Sequence, residues 1–167
     1  MILSVIFVVV PFCLSVAALS DLFFTTIPNR VSMVVICSFL LIAPLMGLGF
    51  VSIASHLLLG LAVFGVCFCF FIFNTMGGGD AKFLTAMAIW FGWNSVFFQF
   101  LLLVSLLGGL LTIFILFLRK ISCIFNISIP QSFLLNNKIP YGIAISIGGL
   151  ITYPDSCLFK IALGQIS

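Results

Sequence analysis

The sequence predicts an all-α membrane protein, a bundle of about six transmembrane helices in a single domain over residues 1–167, and three observations carry that reading. First, 64% of the residues are hydrophobic and only 5% are charged, against about 25% charged in an ordinary soluble domain. The mean hydropathy is +1.48, and no water-facing surface can be assembled from such an inventory. Second, the apolar residues fall into runs close to the ~20 residues a bilayer demands. Third, the few basic residues alternate along the chain as loops on one side of a membrane would.

The runs are residues 2–19, 31–50, 52–73, a shorter one at 81–93, then 95–118 and finally 139–153. The first lacks a basic flank and a small-residue cleavage site before Asp21, so it reads as a retained helix rather than a signal peptide. With alternating spans, Arg30, Lys82, Arg119, Lys120 and Lys138 fall on one side and Lys160 alone on the other. Positive loops stay cytoplasmic, so the N-terminus is expected outside. The net charge of +3 then reports topology and gives no reason to expect a nucleic-acid partner. The fourth run, at ~1.5 Å per residue, reaches only about 20 Å, and Trp90 and Trp93 are expected to anchor its outer end in the interface. Residues 121–138, less apolar and rich in Asn, read as a cytoplasmic loop with an interfacial stretch.

The chain has three acidic residues. Asp21 follows the first run and Asp80 the third, two crossings later, so both are expected near the cytoplasmic face. Asp155, after the last run, is expected outside. Ionisable groups at membrane depth are costly and mark functional sites. Against this stands a structural role for each acid: Asp80 as a helix N-cap behind a glycine turn, Asp21 as a charge at a helix end among headgroups. Gly77, Gly78 and Gly79 precede Asp80 in "NTMGGGDAK", and three residues without a Cβ allow unusual φ or close approach by another segment. Irregular backbone below the membrane surface survives only beside protein or a water-filled cavity. Two carboxylates sharing such a cavity do not readily both ionise, so the pair holds a proton. One ionised and one protonated carboxyl about a water is the apparatus of aspartic proteolysis. The alternatives are an ion or proton carrier using the same two acids, and a non-catalytic membrane scaffold. A carrier would favour acids at the midplane in paired broken helices, and no inverted repeat is visible.

Here the residues resemble a known family. "GGGDAK" is similar to the G-x-G-D motif of membrane aspartyl peptidases, and Lys82 after it points to the prepilin peptidase branch. "DLFFTTIPNRVS" resembles the segment bearing that branch's first catalytic aspartate, and "KIPYGIAISIGG" its Pro-Tyr/Phe-Gly segment. The resemblance implies Asp21 and Asp80 as the catalytic pair. It also implies a multi-pass protein of a bacterial inner membrane with its active site facing the cytoplasm. The substrate would be a prepilin or pseudopilin, a basic leader followed by a hydrophobic helix, in contact with membrane lipid. Without the extra cytoplasmic region of larger members, the chain looks like the short peptidases of Flp-type (tight-adherence) pili, expected to cleave without methylating the product.

The remaining residues take lesser roles. Lys82 reads as a snorkelling topology anchor or as a contact to substrate or loop. Pro28 and Asn29 shape the turn into the second helix. Pro140, Tyr141 and Gly142 open the last helix, near the cavity on the family fold. His56 is expected near the outer side with no catalytic role. The six cysteines contain no C-x-x-C pair, and Cys67 and Cys69 point to different helix faces, so no metal or other cofactor is expected. Ser105 with Gly109, and Gly142 with Ser146, have the small-xxx-small spacing of close helix contacts, which would serve a homo-oligomer equally well.

Overall fold

The structure, a computed structural model, describes residues 5–125 and 140–164. The chain opens with a π-helical turn, Val5–Val9, which runs into α1, Val10–Phe24, with Pro11 in the first turn. That is where proline's missing N–H does no harm. Then come α2 (Asn29–Leu45), α3 (Phe50–Ile72), α4 (Gly78–Phe91) and α5 (Ser95–Phe125). After residues 126–139, which lie outside the described residues, α6 (Tyr141–Thr152) leads through a 3₁₀ turn, Tyr153–Asp155, into a short α7, Cys157–Ala162. Among the described residues there is no strand. The architecture is an all-α membrane bundle.

Three helices are by themselves long and apolar enough to cross a bilayer: Ile6–Phe24, Phe50–Ile72 and Ser95–Leu118, with the shorter apolar Asn29–Leu45 beside them. Of the about six expected transmembrane helices, three meet that length among the described residues, and the fourth is short, as its run implies. At ~1.5 Å per residue α4 and α6 reach only about 20 Å, too short for a ~30 Å hydrocarbon core. They are enclosed instead. α4 packs against α2, α3, α5 and α6, while α6 packs against α1 and α5 as well. From Phe83 to Phe91 every residue of α4 is buried, as expected of a helix apolar all round. α3 shows the opposite pattern, burying only His56, Leu59, Gly60 and Cys67 along one stripe. Most of the rest of its surface, including Leu61, Phe64, Phe68 and Phe71, is exposed to the surroundings. Such a face suits lipid and not water.

Several expectations change on contact with this packing. Trp90 is no interfacial anchor: its side chain is fully buried, 6.0 Å from the Phe39 ring and 6.1 Å from that of Tyr153. Trp93 is exposed. α5 continues through Lys120 to Phe125, so residues 121–125 of the expected loop are helical, and its remainder, 126–138, lies outside the described residues. Gly109 has open space around it and Ser105 is exposed. Gly108 and Gly148 make the α5–α6 contact instead: a Cβ on Gly108 would meet the Tyr141 ring at 3.3 Å, and one on Gly148 would meet Val104 at 3.1 Å. Gly142 and Ser146 do face inward.

Candidate active site

Asp21 lies inside α1, not beyond it. The buried residues of α1 are Val10, Cys13, Leu14, Ala17 and Asp21, the i, i+3, i+4, i+7 stripe of an inward helix face. The carboxylate thus ends a stripe of core residues and is 2% exposed. In the last turn of its own helix it faces the unfavourable end of the dipole. The start of α6 compensates. Ile143 N–H donates to Asp21 Oδ2 at 3.3 Å, and Gly142 lies so near that a Cβ there would stand 2.8 Å from the same oxygen. A carboxylate at a helix N-terminus meets both free N–H groups and a favourable dipole. Asp21 is held by a helix other than its own.

Asp80 uses the same device within its own helix. Gly77, in extended conformation, is the N-cap of α4, and Asp80 falls at the third helical position. The N-cap position considered for Asp80 is therefore taken by Gly77. An acid in the first turn is favoured by the dipole, and here it folds back over the cap: a Cβ on Gly77 would lie 2.8 Å from Asp80 Oδ2. The side chain is 8% exposed. Gly79 permits a backbone contact, since a Cβ there would meet Ile27 O at 3.1 Å and Ile27 N at 3.2 Å. Gly78 lies under the Phe71 ring, with 3.3 Å between a Cβ and that ring.

The connections around these helices are built to turn sharply. Asn74 ends α3 in the left-handed region (φ 55°), while Asn74 N–H donates to Phe71 O and Thr75 N–H to Phe70 O. This is a Schellman motif, with asparagine at the position glycine usually takes. Thr25 ends α1 at φ 52°, its N–H donating to Asp21 O at 2.9 Å. A β-branched residue rarely adopts that conformation, and holding it there costs about 1–3 kcal/mol. Thr25 and Asn74 both line one cavity.

That cavity measures about 440 Å³ and is lined by the α1–α2 connection, the α3–α4 connection, the first turn of α4 and Tyr141. Asp80, Gly77, Gly78, Gly79, Asn29 and Lys82 all contribute to its wall. Lys82 Nζ donates to Asn29 Oδ1 at 3.1 Å, bridging the start of α2 to α4. Both partners are exposed at the cavity rim. Pro28 is the N-cap of α2 and Pro140 that of α6. Asp21 is not part of the wall; Ile27 is, and it stands beside Asp21 at Gly142, a role that no local motif signals. Ile27 Cδ1 would be 2.6 Å from a Cβ on Gly142, beside Asp21 Oδ2 at 2.8 Å.

Other polar groups stand at the opposite end of the bundle. His56 Nδ1 is 2.8 Å from Ile89 O, and its ring stacks on Phe39 at 5.1 Å. Tyr153 donates to Ile6 O at 2.7 Å, and Asp155 pairs with Lys160 at 3.2 Å. Toward the cavity end of α3, Cys67 is buried and Cys69 exposed. Among the described residues no three His, Cys, Asp or Glu side chains gather as a metal-binding group.

No curated protein and no solved structure matches the chain. A family model does. It spans residues 8–113, more than half of the chain, and takes in Asp21, the glycine loop, Asp80 and the whole α1–α4 framework of the cavity. The chain belongs to the type IV leader peptidase family.

Proposed function

We propose that this leader peptidase is an aspartic endopeptidase in which Asp21 and Asp80 form the catalytic pair. It removes the leader of a prepilin or pseudopilin at the cytoplasmic side of a bacterial inner membrane, in a system of the Flp type. The observation that carries the reading is the placement of the acids. Asp80 opens onto a cavity at the start of a buried helix, and Asp21 is buried against the start of another, the two settings meeting at Ile27. In the reaction the ionised carboxyl takes a proton from water as it attacks the scissile carbonyl. Its protonated partner donates to the carbonyl oxygen; as the tetrahedral intermediate collapses, that proton returns to the partner and the proton taken from water passes to the leaving amine. The pair then returns to one proton between two acids.

The surroundings fit a precursor with an apolar helix. Phe71 lines the cavity and continues the stacked row of Phe64 and Phe68 on the exposed face of α3, with ring centroids 5.9 and 6.4 Å apart along the row. A substrate helix lying in lipid beside α3 would reach the cavity along this face. Proteoliposomes of the purified protein, given a recombinant precursor with a basic leader and an apolar helix, should release the leader at a single bond. Peptide sequencing of the product identifies that bond. A precursor that stays intact, with the enzyme folded and inserted, contradicts the proposal.

A further inference from the structure

Ile27 belongs to neither helix that carries an acid, yet it abuts the settings of both. It stands in the short connection between α1 and α2, just before Pro28, which restricts its backbone to extended conformations. Its β-branched side chain is stiff at χ1 and 6% exposed. On one side the Ile27 backbone N and O press against Gly79, the residue before Asp80. On the other, its Cδ1 and the Asp21 carboxyl both come within 3 Å of the point where a Cβ on Gly142 would stand. Backbone thus sets the position of the α4 first turn, and side chain fills the space beside Asp21.

We propose that Ile27 is a positioning residue, a spacer that fixes the Asp21 carboxyl relative to Asp80; this rests on the aspartic reading above. A close-packed interior transmits the size of one side chain to its neighbours, and deleted methyl groups leave slack that relaxation fills only in part. Catalysis feels displacements on the ångström scale, about a hundredfold for 1 Å. The substrate need not touch Ile27 for this to hold, so the effect belongs in kcat.

The experiment uses the purified full-length protein in detergent with the recombinant precursor described above, comparing wild type with Ile27→Val, Ile27→Ala and Asp80→Asn. Ile27→Val removes Cδ1 alone and should lower kcat about tenfold; Ile27→Ala should lower it about a hundredfold, with KM within about twofold in both. Should the alanine variant fail to fold, the valine variant decides. Wild-type or raised kcat in the folded variants, or a loss confined to KM, overturns the spacer while Asp80→Asn remains inactive. If Asp80→Asn itself still cleaves, the aspartic reading fails and the spacer with it.

Discussion

Gly142→Ala is the substitution for which the structure states the sharpest consequence. One added methyl would stand 2.6 Å from Ile27 Cδ1, 2.8 Å from Asp21 Oδ2 and 2.9 Å from Asp21 Cγ. Carbon contacts are comfortable at about 3.5–4.0 Å, so the carboxyl has to retreat by roughly 1 Å. Its bond from Ile143 N–H, already 3.3 Å long, would not survive. Overpacking of this kind costs about 1–3 kcal/mol, and losing the hydrogen bond about 0.5–1.5 kcal/mol. A shift of ~1 Å in a reacting group lowers turnover about a hundredfold. Precursor cleavage should therefore fall about two orders of magnitude while the protein still inserts and folds. The control is Gly109→Ala, which meets nothing within 4 Å. It should process normally and gain up to ~1 kcal/mol of helix stability. The reasoning is refuted if Gly142→Ala cleaves at the wild-type rate with the protein intact.

Other substitutions separate the site from its surroundings. Gly79→Ala sets a Cβ against the backbone of Ile27 at 3.1 and 3.2 Å; because backbone yields less than a side-chain tip, cleavage should drop at least about tenfold, read in the same assay. Lys82→Met removes the exposed 3.1 Å bond to Asn29, a contact worth at most about 1 kcal/mol, so thermal unfolding should barely change and cleavage should stay within a few-fold. Tyr153→Phe deletes the buried bond to Ile6 O and should lower stability by about 1–3 kcal/mol without changing kcat, because it lies at the far end from Asp80. Accessibility labelling of single cysteines at 30 and 78 should find both on the same face of the membrane, and opposite faces would break the pairing of the two acids.

Much of this arrangement is legible in the chain because it follows from periodicity and crossing number. Apolar runs locate the six principal helices, and the two helices between Asp21 and Asp80 return the chain to the same end of the bundle. The end of the first run at residue 19 was misleading. A carboxylate interrupts an apolar run, but α1 continues, and Asp21 sits four residues after Ala17 on the buried stripe. Trp90 misled in a related way. Tryptophan in a membrane protein is usually interfacial, whereas α4 is enclosed by four other helices and has no lipid face at that position. The glycine loop announced close approach, yet nothing local says that Gly79 meets Ile27 or that Gly142 meets Asp21. Those contacts join segments far apart in sequence and exist only once α6 lies against α1.

Cleavage by the two aspartate variants, singly and together, tests the central claim most directly. Asp→Asn preserves size and shape but can neither take a proton from water nor return one. In membranes carrying the recombinant precursor, Asp21→Asn and Asp80→Asn should each abolish nearly all conversion to the mature band. The double variant should be hardly worse, since losses within a catalytic unit do not add. Asp155→Asn, in its surface pair with Lys160, should process normally. All four proteins should insert to wild-type levels. Near wild-type processing by either single aspartate variant would contradict the account.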